Sequence, residues 1–223
     1  NHINPSFSQM NYHINLGLLY GAKELTCDPM FTIWDDSVNQ YFREGLIDYE
    51  STGAPLTSLG VQFRNVIKPR LSGLFGKTLK KLNISGQDIR TEIDLSNYGY
   101  SNSFIDSIRT GNSNTTYVDC GEFKDSISSD KGYLMLINRW YNPTNSDKYK
   151  LKLKTYKNWS VYDYIDSVYR STVIDIDGKA YFNDTIPVGD CKIYQMYPVV
   201  KFGGEIICSE TISSASLTEN ELY

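Results

Sequence analysis

KGYLMLINRWYNPTNSDKYKLKLKTY, Lys131 to Tyr156, is the stretch from which the architecture is read. Tyr133, Leu134, Met135, Leu136 and Ile137 form a dense apolar run, and Asn142-Pro143-Thr144-Asn145-Ser146-Asp147 breaks it. Beyond the break, Tyr149, Leu151, Leu153 and Thr155 alternate with Lys148, Lys150, Lys152 and Lys154, the period-2 pattern of a strand with one wet face. The stretch reads as two β-strands joined by a polar turn, a pair from which the sheets of the C-terminal two-thirds extend outward. The lysine row reads as the solvated face of an edge or outer strand.

Bulk properties bound the answer. At 223 residues, with 40% hydrophobic and 22% charged residues, the chain has room for one large or two small domains and a substantial core. Its 18 Tyr, 9 Phe and 3 Trp fit half-buried sheet positions first and aromatic ligand platforms second. The net charge of -4 gives no field that attracts a nucleic-acid backbone. No run of 18 apolar residues exists, so no membrane span is expected. Cys27, Cys120, Cys191 and Cys208 are widely spaced without a CxxC, and His2 and His13 have no partners, so no structural metal is expected.

Residues 5 to 21 read as a helix that begins near Pro5, is capped by Ser6 or Ser8 and stops at Gly21. A strand is expected over Glu24–Ile33, closing on Trp34, Asp35 and Asp36, with Pro29 interrupting it. Residues 37 to 55 read as a polar loop with a helical turn. Thr57 caps a second, six-turn helix reaching Leu82, kinked or broken at Pro69. Its apolar face, with Leu59, Phe63, Val66 and Leu74, exceeds what a sandwich alone would cover. Helix, strand, loop, helix is an α/β rhythm, yet one strand makes no sheet, so residues 1–82 read as the end of a domain with its larger part elsewhere. From Ile84 onward the helical period disappears. Strands are expected near 89–95, 115–120, 122–127, 132–138, 148–156, 160–164, 168–175, 180–183, 191–197 and 204–209, a spacing that indicates a sandwich. Residues 83–212 are then a β-sandwich and 213–223 a tail or linker.

Two motifs carry a resemblance. NYHINLGLLYGAKELTCDPMFTIWD, residues 11 to 35, resembles the passage of secreted bacterial (β/α)8 glycosidases that runs from the seventh helix through a Tyr-Gly-Ala-Lys corner, here Tyr20 to Lys23, into an eighth strand ending in an aromatic, here Trp34. VGDCKIYQMYPVVKFGGEII, residues 188 to 207, is similar to the closing hairpin of the β-sandwich that follows the barrel in β-galactosidase-like enzymes of Bacteroidetes. The resemblance implies a mainly β chain: an immunoglobulin-like β-sandwich preceded by the last helix–strand–helix segment of a TIM barrel. It implies the C-terminal portion of a secreted, periplasmic or cell-surface glycoside hydrolase acting on polysaccharide without a nucleotide or redox cofactor. Its implied partners are carbohydrate and the N-terminal portion of the same protein. The two catalytic carboxylates of that family sit on strands four and seven, which residues 1–223 do not contain, so no catalytic residue is assigned and the chain alone is expected to be inactive.

Trp34 is then the leading substrate contact, its indole offered to the C–H face of a pyranose, with Asp35 and Asp36 as hydrogen-bonding neighbours. The competing reading of the two aspartates is strand-end or helix-capping carboxylates. Asp119 and Glu122 read as solvated, His13 as a surface or packing histidine, and Gly203-Gly204 as a turn. An alternative function is a carbohydrate-binding or purely structural β-sandwich module, with exposed tyrosines and Trp140 or Trp159 as the platform. Cys191 and Cys208 face each other if the last turn lies between Val199 and Val200, and are separated if it lies at Phe202-Gly203-Gly204.

Overall fold

The computed structural model describes residues 5–26, 33–35, 40–43, 45–48, 51–84, 90–94, 105–110, 117–125, 127, 131–139, 149–155, 159–202 and 205–208. The N-terminal elements are α1 (Phe7–Leu19), β1 (Ile33–Asp35), β2 (Gln40–Arg43), α2 (Ser58–Gln62), a π-helical turn (Phe63–Ile67), α3 (Lys68–Ser72) and α4 (Leu74–Lys81). Twelve strands follow: β3 (Leu82–Ile84), β4 (Arg90–Asp94), β5 (Ile105–Thr110), β6 (Tyr117–Asp125), β7 (Gly132–Asn138), β8 (Tyr149–Thr155), β9 (Trp159–Asp163), β10 (Val168–Arg170), β11 (Val173–Ile174), β12 (Ala180–Ile186), β13 (Cys191–Phe202) and β14 (Glu205–Cys208).

Helix α1 starts with a capping box: the Ser6 hydroxyl accepts from the Gln9 N–H and the Gln9 side chain accepts from the Ser6 N–H. It stops at Gly21, whose φ of 82° turns the chain while Ala22 N–H reaches back to the Gly17 carbonyl. The helix expected over 57–82 is interrupted. Thr57 does cap α2, accepting from Gly60 N–H at 3.1 Å. Pro69, lacking an N–H, sits in the first turn of α3 behind the π-helical turn, where the wider winding accommodates its ring. The break itself falls at Gly73, which has extended backbone. The strand expected over Glu24–Ile33 is also corrected. Residues 24–26 carry no strand, and Ile33–Asp35 pairs antiparallel with Gln40–Arg43, inside the segment read as a polar loop.

The fold is a mixed α/β architecture with two large antiparallel sheets beside the β1–β2 hairpin. The first follows the order β10-β9-β13-β7-β6-β3, with β14 pairing β13 and β4 pairing β6; the second is β11-β12-β8-β5. Every residue of β7 is buried. Leu134 and Leu136 turn to a core shared with Ile105, Ile108, Phe182 and Ile186 of the smaller sheet. Tyr133, Met135 and Ile137 turn the other way, to a core with Leu18 and Leu19 of α1 and Phe75 and Leu79 of α4. A strand between two layers reads as a continuous apolar run because both of its faces are dry. Each such aliphatic or aromatic side chain contributes about 1.5–3 kcal/mol on burial. Leu74, by contrast, remains 53% exposed.

This layering overturns the pairing read from Lys131–Tyr156. Strands β7 and β8 both form, but in different sheets: β7 lies between β6 and β13, and β8 between β12 and β5. The polar break connects two layers rather than closing a hairpin, and β8 is an interior strand of the smaller sheet, not an edge. Strands expected at 115–120 and 122–127 are one strand, β6, running through Gly121. A Cβ at position 121 would lie 2.6 Å from Leu19 Cδ1, so the glycine marks the close approach of α1 rather than a break. Strand β5 falls between the strands expected near 89–95 and 115–120, where none was expected.

Candidate tyrosine face and buried ion clusters

One row of side chains crosses the larger sheet on its helix-covered side. The register sets Phe123 opposite Tyr133, Tyr133 opposite Gln195, Gln195 opposite Tyr162 and Tyr162 opposite Tyr169, each on the next strand from β6 to β10. With strands about 4.8 Å apart, the part from Tyr133 to Tyr169 covers roughly 14 Å. Helices α1 and α4 pack over the inner end, and exposure rises from 3% at Tyr133 to 59% at Tyr169. Tyr162 stands between them, half-buried. Its ring meets Tyr164 edge-on at 4.9 Å and Tyr169 at 5.0 Å. Buried Gln195 organises the group: its amide donates to Tyr133 Oη at 2.6 Å, and its carbonyl accepts from Tyr164 Oη at 2.5 Å and from Tyr197 Oη. Lys131 Nζ lies 5.2 Å from the Tyr197 ring centroid, a cation–π contact. The rings are therefore fixed from beneath, while Tyr162 and Tyr169 turn surface toward solvent.

The opposite face of the same strands carries an ion cluster. Asp163, Asp166 and Asp184 bring carboxylate oxygens within 4.8 Å of one another, a spacing compatible with a metal ion. The chain's own cations already stand among them. Lys192 Nζ donates to Asp163 at 3.0 Å and Asp166 at 2.5 Å; Arg170 bonds Asp163 and Asp166 and lies 2.9 Å from Asp184. Tyr194 Oη donates to Asp184 at 2.8 Å. Burial alone would raise the Asp166 carboxyl, but Lys192 and Arg170 outweigh it and hold the group below the ordinary carboxylate range. Burial likewise works against the charge on Lys192, and the bonds from Asp166 and Asp163 overcome it and raise its pKa. The donor set suits internal ion pairing, not a metal.

A second polar cluster fastens the helices to the sheet. Arg70 pairs with both oxygens of Asp190, at 2.5 and 3.2 Å. Asn11 Nδ2 reaches Asp190 at 3.3 Å, and Asn15 Nδ2 donates to the Gly189 carbonyl at 3.2 Å. The Cys191 thiol donates to Asn15 Oδ1 at 3.3 Å; burial pushes its pKa up, so it is neutral and not a nucleophile. It is a free thiol. The register closes the disulfide question as well: Cys208 opposes Val199 and Cys191 opposes Ile137, so the two cysteines do not face each other. Asp119, expected to be solvated, is fully buried and accepts from Tyr12 Oη at 2.9 Å, a third tie between α1 and the sheet. His13 is exposed, as expected.

The residues singled out from the sequence as substrate contacts are not among the side chains of these clusters that the structure describes. Trp34 and Asp35 are in β1, described as backbone only, and Asp36 lies outside the described residues. Trp140 is also outside them. Trp159 is in β9 at a register position of the face opposite Tyr162. The tyrosine row was visible in the sequence only as Tyr-Asp-Tyr at 162–164, Val-Tyr-Arg at 168–170 and Tyr-Gln-Met-Tyr at 194–197. Alternation puts Tyr162 and Tyr164 on one face, but only the register joins them to Gln195 and Tyr169. Comparison with known proteins finds no family model, curated protein or solved structure that matches this chain.

Proposed function

We propose that the chain is a non-catalytic, carbohydrate-contacting portion of a secreted glycoside hydrolase that acts on polysaccharide. The observation that carries this reading is the tyrosine row, whose outer rings are exposed and whose inner members are locked by Gln195. An aromatic face held rigid at low entropic cost suits the apolar side of a sugar ring. The carboxylates paired within the chain support the non-catalytic part: Asp163 and Asp184 are committed to Lys192 and Arg170, and Asp190 to Arg70. A glycosidase instead needs two carboxyl groups flanking an accessible bond. In this reading the two sheets are an immunoglobulin-like sandwich behind a barrel, and residues 1–82 are the last helix–strand–helix of that barrel. Trp34, Asp35 and Asp36 then contribute further sugar contacts, and the N-terminal portion of the same protein is the partner.

The test is affinity electrophoresis through gels containing neutral galactan, mannan or β-glucan. At least one should retard the protein, and Tyr169→Ala should weaken that retardation about twofold to tenfold, the loss of one aromatic contact of about 0.5–1.5 kcal/mol. Its melting temperature should stay unchanged, because the ring is exposed. Absence of retardation in all three gels overturns the carbohydrate reading. Hydrolysis of chromogenic galactosides, glucosides or mannosides, abolished by Asp35→Asn or Asp36→Asn, overturns the non-catalytic one.

A further inference from the structure

Both sheets end on the same length of chain. Among the described residues β10 closes one end of the larger sheet and β11 one end of the smaller, and only Ser171 and Thr172 separate them. Residues opposite each other in a ladder share a face. On the larger sheet, Leu134, Tyr194, Asp163 and Val168 form such a row, on the face turned to the core between the sheets. On the smaller sheet, Ile105, Thr155, Ala180 and Ile174 form the matching row. The first three members of each row are buried, but Val168 is 43% exposed and Ile174 55%. Two core-facing side chains therefore meet water, and the apolar layer runs out uncovered at this edge.

The same segment carries the complementary feature. Ile176, in the turn between β11 and β12, is fully exposed. Hydrogen bonds fix that turn: Asp175 N–H donates to the Lys179 carbonyl at 2.8 Å, Gly178 N–H to the Asp175 carbonyl at 2.9 Å and Ile176 N–H to Asp175 Oδ1 at 2.8 Å. An aliphatic group held out on a fixed turn loses little entropy when it is covered. Edge strands of monomers are ordinarily blunted by outward charges. Here the cation of β10, Arg170, is turned to Asp163, Asp166 and Asp184 instead. A fully exposed aliphatic residue presents about 150–200 Å², just under the aromatic range, so Val168, Val173, Ile174 and Ile176 together expose roughly 450 Å². Exposed Ser171, Thr172, Asp177 and Gly178 lie in the same segment and bring it near the roughly 600 Å² per partner at which specific interfaces begin. What covers this edge must bring an aliphatic group to the open core and an apolar recess for Ile176. A second copy of the segment brings both under a two-fold axis, where each surface meets its own counterpart.

We infer that the chain forms a two-fold dimer through the segment from Val168 to Ile176, the Ile176 of each protomer covering the open row ends, Val168 and Ile174, of its partner. Tyr169 belongs to the opposite face of β10, so the inference is independent of the carbohydrate reading. Sedimentation velocity on the full chain from about 1 to 100 μM tests it. The mass should rise to twice 25.5 kDa and stop there. Ile176→Asp should weaken association at least about tenfold, because a carboxylate would enter an apolar contact, and Ile176→Leu should restore it. The far-UV circular dichroism of both variants should match the wild type, since position 176 is exposed in the single chain. Leu74→Asp, which alters another exposed apolar residue away from this edge, should leave the dimer intact. A wild type that stays monomeric at about 100 μM leaves the edge to a different polypeptide and overturns the inference. So does growth beyond the dimer, which a closed two-fold contact forbids, and so does a dimer that Ile176→Asp spares or that Leu74→Asp disrupts.

Discussion

Gly189 occupies the turn between β12 and β13 with φ at 67°, in the region that disfavours side chains. A Cβ there would also lie 2.2 Å from the Ser8 carbonyl oxygen at the start of α1. Both constraints act on one atom, so Gly189→Ala is expected to destabilise the protein by about 2–3 kcal/mol, read as a lower urea midpoint at unchanged slope. The neighbouring Asn15, Asp190 and Cys191 make this corner the seam between helices and sheet. In sequence, Val188-Gly189-Asp190 announces a turn and nothing more. The contact with Ser8 joins positions 181 residues apart, and no local pattern encodes it.

At the scale of elements, the β9–β10 hairpin depends on its turn. Asp163 Oδ1 accepts from the N–H of Ile165 at 2.8 Å and of Asp166 at 3.2 Å, while its other oxygen meets Lys192 and Arg170. Asp166 closes the cluster from the solvent side, 44% exposed. Its folded pKa lies below the unfolded value of about 3.9, so its contribution is complete above that value and is lost as pH falls through the folded pKa. Lys192 is shifted upward, so its contribution is complete below about 10.4 and is lost only as pH rises through its folded pKa. Asp166→Asn should therefore melt below the wild type near neutral pH, with the gap closing in acid. A gap that persists unchanged at low pH would show that Asp166 acts by something other than its charge. The helical segment teaches a related lesson. Apolar spacing from Leu59 to Leu82 signals helix, but the π-helical turn and the break at Gly73 redirect it so that Ile67, Phe75 and Leu79 are buried while Leu74 is not.

At the scale of the molecule, the larger sheet is covered on both sides. Its helix-facing side, with Phe123, Tyr133, Met135, Ile137 and Ile193, shares a core with Leu18, Leu19, Phe75 and Leu79. Removing residues 1–82 would bare that side and leave a contiguous apolar surface. Residues 83–223 expressed alone are expected to bind a hydrophobic dye, associate in solution and unfold without a sharp transition. A cooperative monomer with native-like amide protection in β7 and β13 would show that the smaller sheet alone suffices to hold the larger one.

Most strands and the two ends of α1 were legible in the sequence, because their signals are local: alternation, apolar runs, a capping serine at 6 or 8, of which the structure uses Ser6, and a terminating Gly21. The tyrosines were legible as sheet residues, but the face they form was not. Tertiary structure alone decided that β7 pairs with β6 and β13, that β8 belongs to another sheet, and that Gln195 stands between Tyr133 and Tyr162. The physical reason is that backbone hydrogen bonds carry no sequence label. Partners are chosen by which faces must be buried together. The apolar run of β7 is satisfied between two layers, and β8 is placed in the interior of the smaller sheet, between β12 and β5.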